Sequence, residues 1–282
     1  MIREFLNYKY GEFVTTKFLS SNNEVIWDYR NPDGVNEQLE VKKHLKELRD
    51  SQGNRLVPDK FLSIDWGMDF SSWLGEFKTK KEYLFIGAEP HINHNYQLVY
   101  DFGNRNGEDL KTTAINYAKN QNDIWHYIVK NFAIDSESEL SVLQKCYITD
   151  LCPFVPKGCG QVKDIQNKLG ITKKEWDQFR SRIAMHFLEK EVNAVNPKFI
   201  VLHGEPSRTF FNDKLLAVPL HFKKEDEIGN WKRYVYKGKM KEVKIIAIPH
   251  LKGQILNELW RSKKHPERIE SIKNIIQDFI KD

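Results

Sequence analysis

The chain has 282 residues, 40% apolar and 29% charged, with 44 Lys and Arg against 39 Asp and Glu for a net charge of +5. That length holds one or two domains and a real core, and the composition excludes disordered, fibrous and staple-dependent classes. Three cysteines exclude a disulfide framework, so a cytoplasmic protein with reduced thiols is expected. No apolar run approaches the roughly 18 residues of a membrane span, and no membrane partner is expected. The positive charge permits nucleic-acid binding without demonstrating it.

Along the chain, Met1 to Lys9 has no signal-peptide core, because charged and polar groups interrupt every turn. Glu37 to Arg49 reads as a charged helix, broken by Asp50-Ser51-Gln52-Gly53-Asn54. Trp66, Phe70, Trp73 and Phe77 make an aromatic stretch before the first strong strand. Residues 1–80 are therefore expected to form an N-terminal extension packed on a core domain spanning 81–282. Four short apolar runs follow: Tyr83 to Ile86, Cys146 to Thr149, Phe199 to Leu202 and Ile245 to Ile248. Continuous apolar runs of this length suit strands buried on both faces of a parallel sheet. Helical patterns separate them at Leu110 to Phe132 and Lys173 to Val195, and a closing helix runs from about Pro266 to Ile280. Tyr234 to Lys244 reads as a hairpin turning at Lys237-Gly238-Lys239. Strands alternating with helices make an α/β sandwich the expected class.

In such a sheet ligands sit beyond the carboxyl ends of the strands. The residues there are Gly87-Ala88-Glu89-Pro90-His91, Asp150-Leu151-Cys152-Pro153-Phe154, His203-Gly204-Glu205-Pro206 and Pro249-His250-Leu251-Lys252-Gly253. A Glu, an Asp and a His converging on one edge outline an acid–base site.

With these motifs the sequence resembles the uracil-DNA glycosylase superfamily. Gly87-Ala88-Glu89-Pro90-His91 stands where that family has G-x-D-P-Y after a strand, and Phe102, fifteen residues past the glycine, stands where its base-stacking aromatic follows. Thr149-Asp150 matches the strand end whose Asn reads the uracil edge. Pro197-Lys198, the strand after them and Gly204 match a third motif, and Pro249-His250 the last, so the likeness covers roughly Tyr83 to Trp260. The resemblance implies a three-layer α/β sandwich with a central, mainly parallel four-stranded sheet flanked by helices, making 81–282 the catalytic domain. It also implies a DNA glycosylase that needs no cofactor and no metal, acts on DNA and works as a monomer.

The departures from the family's pattern carry the specificity reading. An ionised carboxylate only accepts hydrogen bonds, so Asp150 opposes the O4 acceptor of uracil and suits the N4 amino donor of cytosine. The plain structural alternative is that Asp150 caps a helix or joins an ion pair. His91 replaces the Tyr that closes the C5 edge of the base. A smaller, polar residue there leaves room for a substituent, unless His91 is an ordinary loop histidine. Excising plain cytosine would destroy a host's own genome, so hydroxymethylated or glucosylated cytosine of viral DNA is the expected target.

In the same carry-over Glu89 positions a water and offsets the oxocarbenium charge, while His250 donates to the base O2 as it departs. Their structural alternatives are a turn cap and a satisfied core histidine. Leu251, Ile255 and Leu256 are candidate wedges for the vacated stack. Lys252, Gly253 and Lys157 are candidate DNA contacts, with Lys163, Lys168, Lys173 and Lys174 as a basic run that can equally be solvated surface. Three rivals stand beside this reading: a metal-dependent nuclease using Glu89, His91, His94 and His250, a non-catalytic binding module, and plain uracil repair. Three widely spaced cysteines argue against an iron–sulfur cluster. If Phe102 is the stacking platform, Phe102→Ala weakens binding to a flipped base by about 1–3 kcal/mol and leaves affinity for undamaged duplex little changed. Fluorescence titration with both DNAs checks this, and equal losses would place Phe102 in the core.

Overall fold

Each of the four apolar runs becomes a strand, since β-branched and aromatic side chains fit a pleated surface covered on both faces. A computed structural model describes residues 2–11, 34–68, 81–87, 145–156, 159, 162–203, 236–240, 243–248, 274 and 277–281. In chain order the elements are α1 (Ile2–Tyr10), α2 (Gly34–Glu47), a 3-10 helix (Asp59–Ser63), β1 (Trp66–Met68), β2 (Tyr83–Gly87), β3 (Cys146–Asp150), β4 (Phe154–Pro156), α3 (Val162–Leu169), α4 (Lys173–Val195), β5 (Phe199–His203), β6 (Tyr236–Met240) and β7 (Val243–Ile248). The chain divides into two compact units. One comprises Met1–Lys78, Glu89–Leu110 and Thr149–Asn196, and the other Thr79–Ala88, Lys111–Ile148 and Pro197–Asp282. Among the described residues no helix is long and apolar enough to cross a membrane.

The second unit is built on a five-stranded sheet of order β3-β2-β5-β7-β6. β2 pairs parallel with β5, Tyr83 opposite Phe199, and β5 pairs parallel with β7, Ile200 opposite Ile245. The amides of Glu82 and Tyr83 both donate to the Lys145 carbonyl, at 2.8 and 3.1 Å, so β2 and β3 start side by side. Leu84, Phe85, Ile86, Ile200, Val201, Leu202, Ile245 and Ile246 are fully buried, as expected of strands covered on both faces. Tyr83 stacks on Phe199 with ring centroids 5.5 Å apart, and Phe279, in the closing helical residues 277–281, packs on Phe199 at 5.5 Å.

The hairpin is present, but its turn is not at Lys237-Gly238-Lys239. Those residues lie inside β6, where Gly238 pairs with Ile245, and the reversal falls between Met240 and Val243. Turn-forming residues lose here to cross-strand pairing with the apolar β7. The expected four-stranded sheet thus gains β6 as an antiparallel fifth member. The expected helix at 110–132 lies outside the described residues.

In the first unit α4 occupies the range its periodicity predicts. Thr172 and Glu175 form a reciprocal capping box at its start, and Asn196 ends it in the left-handed conformation, φ 49°, its amide bonded to the Val192 carbonyl. Trp176, Phe179, Ile183 and Phe187 face a core shared with Leu6 of α1, Val41 and Leu45 of α2, and Phe61, Trp66 and Phe154. Phe61 stacks on Phe179 at 4.5 Å, and Trp66 packs on Phe179 at 5.6 Å. β1 and β4 form a small antiparallel pair, Trp66 opposite Pro156. After α2 the expected break is an Asx turn: Asp50 Oδ1 accepts from the amides of Gln52 and Asn54 at 2.9 and 2.8 Å, and Gly53 takes φ 82°.

α1 is fastened through its last turn. Tyr8 meets the edge of Phe187 at 5.5 Å and its hydroxyl bonds His186 Nε2 at 2.5 Å. His44 Nε2 donates to the Lys9 carbonyl at 2.8 Å, which requires the proton on Nε2. Burial holds both His44 and His186 below the usual histidine range. A histidine lowered in the fold takes up a proton in the unfolded chain first, so its contribution is full above about pH 6.5 and declines as pH falls below that value. Melting temperature is therefore expected to drop between pH 7.5 and 5.5. His44→Gln, which keeps a donor for the Lys9 carbonyl, should flatten that slope in thermal melts at stepped pH.

Candidate functional site

Parallel pairing determines where the chain can assemble a site. β2, β5 and β7 run in one direction and end at Gly87, His203 and Ile248. β3 starts beside β2 and ends at Asp150. The carboxyl ends of these strands therefore face the same way, and Glu89 and His250 each follow one of them by two residues. Glu89, His91, Phe102, Lys157, His250, Lys252 and Gly253 lie outside the described residues, as do His94, Leu251, Ile255 and Leu256.

Asp150 is described, half-buried as the last residue of β3. Leu151, Cys152 and Pro153 follow it, all buried, and then strand β4. The element after Asp150 is thus a strand, so Asp150 does not cap a helix. Its neighbour Thr149 is buried. The Thr149 hydroxyl accepts from Lys9 Nζ at 2.6 Å, and Lys9 Nζ also meets Glu191 Oε1 at 2.5 Å. Lys9, Thr149 and Glu191 are all essentially removed from solvent.

Sequence reasoning missed Lys9 and Glu191. A signal for Glu191 was present, since it sits on the apolar stripe of α4 with Phe187, Leu188, Val192 and Val195. A charge on a buried face demands a partner. For Lys9 the amino-acid order carried no such signal.

The basic run is less free than its sequence implies. Lys173 pairs with Asp177 at 2.7 Å within α4, and Asp177 also holds Arg180 at 2.8 Å. Lys163 and Lys174 are exposed. Lys60 bonds Glu175, and this ammonium, with the Thr172 amide and hydroxyl, brings the Glu175 carboxyl down to about 2. Cys146, Cys152 and Cys159 are buried. Cys152 Sγ donates to the Phe154 carbonyl at 3.1 Å, and burial pushes the Cys159 thiol up. Among the described residues no group of three or more His, Cys, Asp or Glu is placed to hold a metal ion.

Four parallel-sheet motifs in this order meet an independent test in family comparison, where residues 74–276 match the model of the uracil DNA glycosylase superfamily. The chain belongs to that superfamily. Comparison with curated proteins gives no match. Membership supports a DNA glycosylase-type function with DNA as the partner. All four strand ends fall inside the matched segment, whereas α1, α2 and β1 precede it. Lys9, from outside the superfamily segment, therefore binds directly to the residue before Asp150, inside it.

Proposed function

We propose that the protein is a DNA glycosylase that extrudes a cytosine modified at C5, hydroxymethylated or glucosylated, and hydrolyses its glycosidic bond to leave an abasic site. Asp150 carries the reading: a carboxylate ends β3 where the superfamily's pattern has an amide, with a strand rather than a helix after it. One carboxylate oxygen accepts from the N4 amino group. The other faces the N3 lone pair and is accommodated when a proton lies between them. A base protonated at N3 is a better leaving group, so the same contact selects and activates it.

The other roles follow the motif positions. Glu89 holds the attacking water and takes up its proton as the oxygen bonds C1′, while the C1′–N1 bond breaks and its electron pair leaves with the base. His250 donates to O2 of the departing base. Phe102 stacks on it, His91 leaves space at C5, and Lys157, Lys252 and the backbone at Gly253 engage phosphates. Acting only on a mark that the host lacks would spare the host's own DNA, so the activity fits defence against viral DNA by a cytoplasmic monomer.

The decisive experiment incubates the protein with oligonucleotides carrying uracil, cytosine, 5-hydroxymethylcytosine or glucosylated cytosine and assays abasic sites. Cleavage confined to the modified cytosines is expected, and cleavage of uracil alone would overturn the substrate reading. Glu89→Gln and His250→Ala should each slow excision about 10²-fold or more with melting temperature nearly unchanged. Wild-type rates in both would remove them from the chemistry.

Asp150→Asn should abolish excision of modified cytosine and bring weak uracil excision, because the amide restores a donor opposite O4. His91→Tyr should slow reaction at bulky C5 groups and spare small ones. Full activity of Asp150→Asn on modified cytosine would show that another residue reads the base.

A further inference from the structure

We infer that Lys9, on the N-terminal helix, is a positioning residue for the base-reading carboxylate, acting through Thr149. The inference rests on the reading of Asp150 as base selector. Thr149 and Asp150 are consecutive in β3, and successive side chains of a strand leave on opposite faces. A hydroxyl fixed on one face therefore sets the direction in which the next side chain emerges on the other. That hydroxyl is held 2.6 Å from Lys9 Nζ, and the ammonium is in turn held 2.5 Å from Glu191 Oε1 on α4.

Lys9 is itself located from its backbone, since its carbonyl accepts from His44 Nε2 at 2.8 Å while the neighbouring Tyr8 bonds His186. Three helices thus converge on one hydroxyl at the end of β3. Removing two charges from water is costly, and apolar side chains of similar volume would often be as stable. The ion pair supplies direction, which packing alone does not. Direction matters for a carboxylate that must meet two atoms of a base edge, because a displacement of about 1 Å costs on the order of 10² in rate.

The test compares Thr149→Val, which keeps the β-branched shape and the ion pair, with Lys9→Met/Glu191→Gln, which removes both charges together. Each variant is expected to lower kcat on a 5-hydroxymethylcytosine oligonucleotide about tenfold or more, with KM within about twofold. The combined triple variant should be no slower than the slower parent, because residues acting through one contact are not additive. The Asp150 carboxyl-carbon NMR resonance, assigned by its loss in Asp150→Asn, should move in the same direction in both variants.

An unmoved resonance in folded Thr149→Val overturns the inference, and so do multiplied rate losses in the triple variant. Thr149→Val decides the matter alone if the charge-free variant does not fold. A wild-type protein inert on every modified cytosine would remove the substrate reading, while the resonance shifts would still establish or refute the coupling from Lys9 to Asp150.

Discussion

Parallel hydrogen bonding among β2, β5 and β7 is the constraint on which the rest of the second unit depends. Tyr83 lies opposite Phe199, and Phe199 opposite Lys244, so three strands of similar length start level and finish level. A slip of one residue would turn every side chain to the other face. Burial of both faces forbids that slip, because Ile200 and Val201, neighbours on opposite faces, are both fully buried. Segments leaving the ends of such strands fall on a common side, where a rigid sheet can support chemically varied loops. The superfamily match covers all of these strands.

The first unit follows a different logic. Its core joins aliphatic side chains such as Leu6, Leu45 and Ile183 to an aromatic cluster of Phe61, Trp66, Trp176 and Phe179. Among its described residues this unit also buries one cation, Lys9, and one anion, Glu191, each bringing a requirement for partners at defined distances. The Lys9–Glu191–Thr149 contact fixes the last turn of α1 at hydrogen-bond distances from α4 and β3. Residues ahead of the superfamily segment are thereby tied to a strand end within it.

Much of the architecture was legible because it depends on local periodicity. The strand at Phe199–His203 announces itself as an unbroken apolar run, and α4 as a stripe of Trp176, Phe179, Ile183 and Phe187 behind a capping box. The hairpin turn was misplaced because Gly238 and its flanking lysines favour a turn locally, while the register of β6 is imposed by β7. β1 and β4 are three residues each, too short for periodicity to register. Asp150, the proposed base-reading residue, was legible from its position after an apolar run. Lys9 was not, since 140 residues separate it from Thr149 and only the folded chain brings them together.

That separation has a consequence for synthesis. α1 is made well before α4, since Glu191 follows Lys9 by 182 positions. At about 5–20 residues per second, the ammonium waits roughly 10–40 s for its carboxylate. Throughout that interval Leu6, buried in the finished fold, lacks the α4 side chains of the core it joins. The first unit thus closes only once α4 has been made. A nascent chain stalled before α4 leaves Lys9 without its carboxylate, while His44, the partner of its carbonyl, is already made.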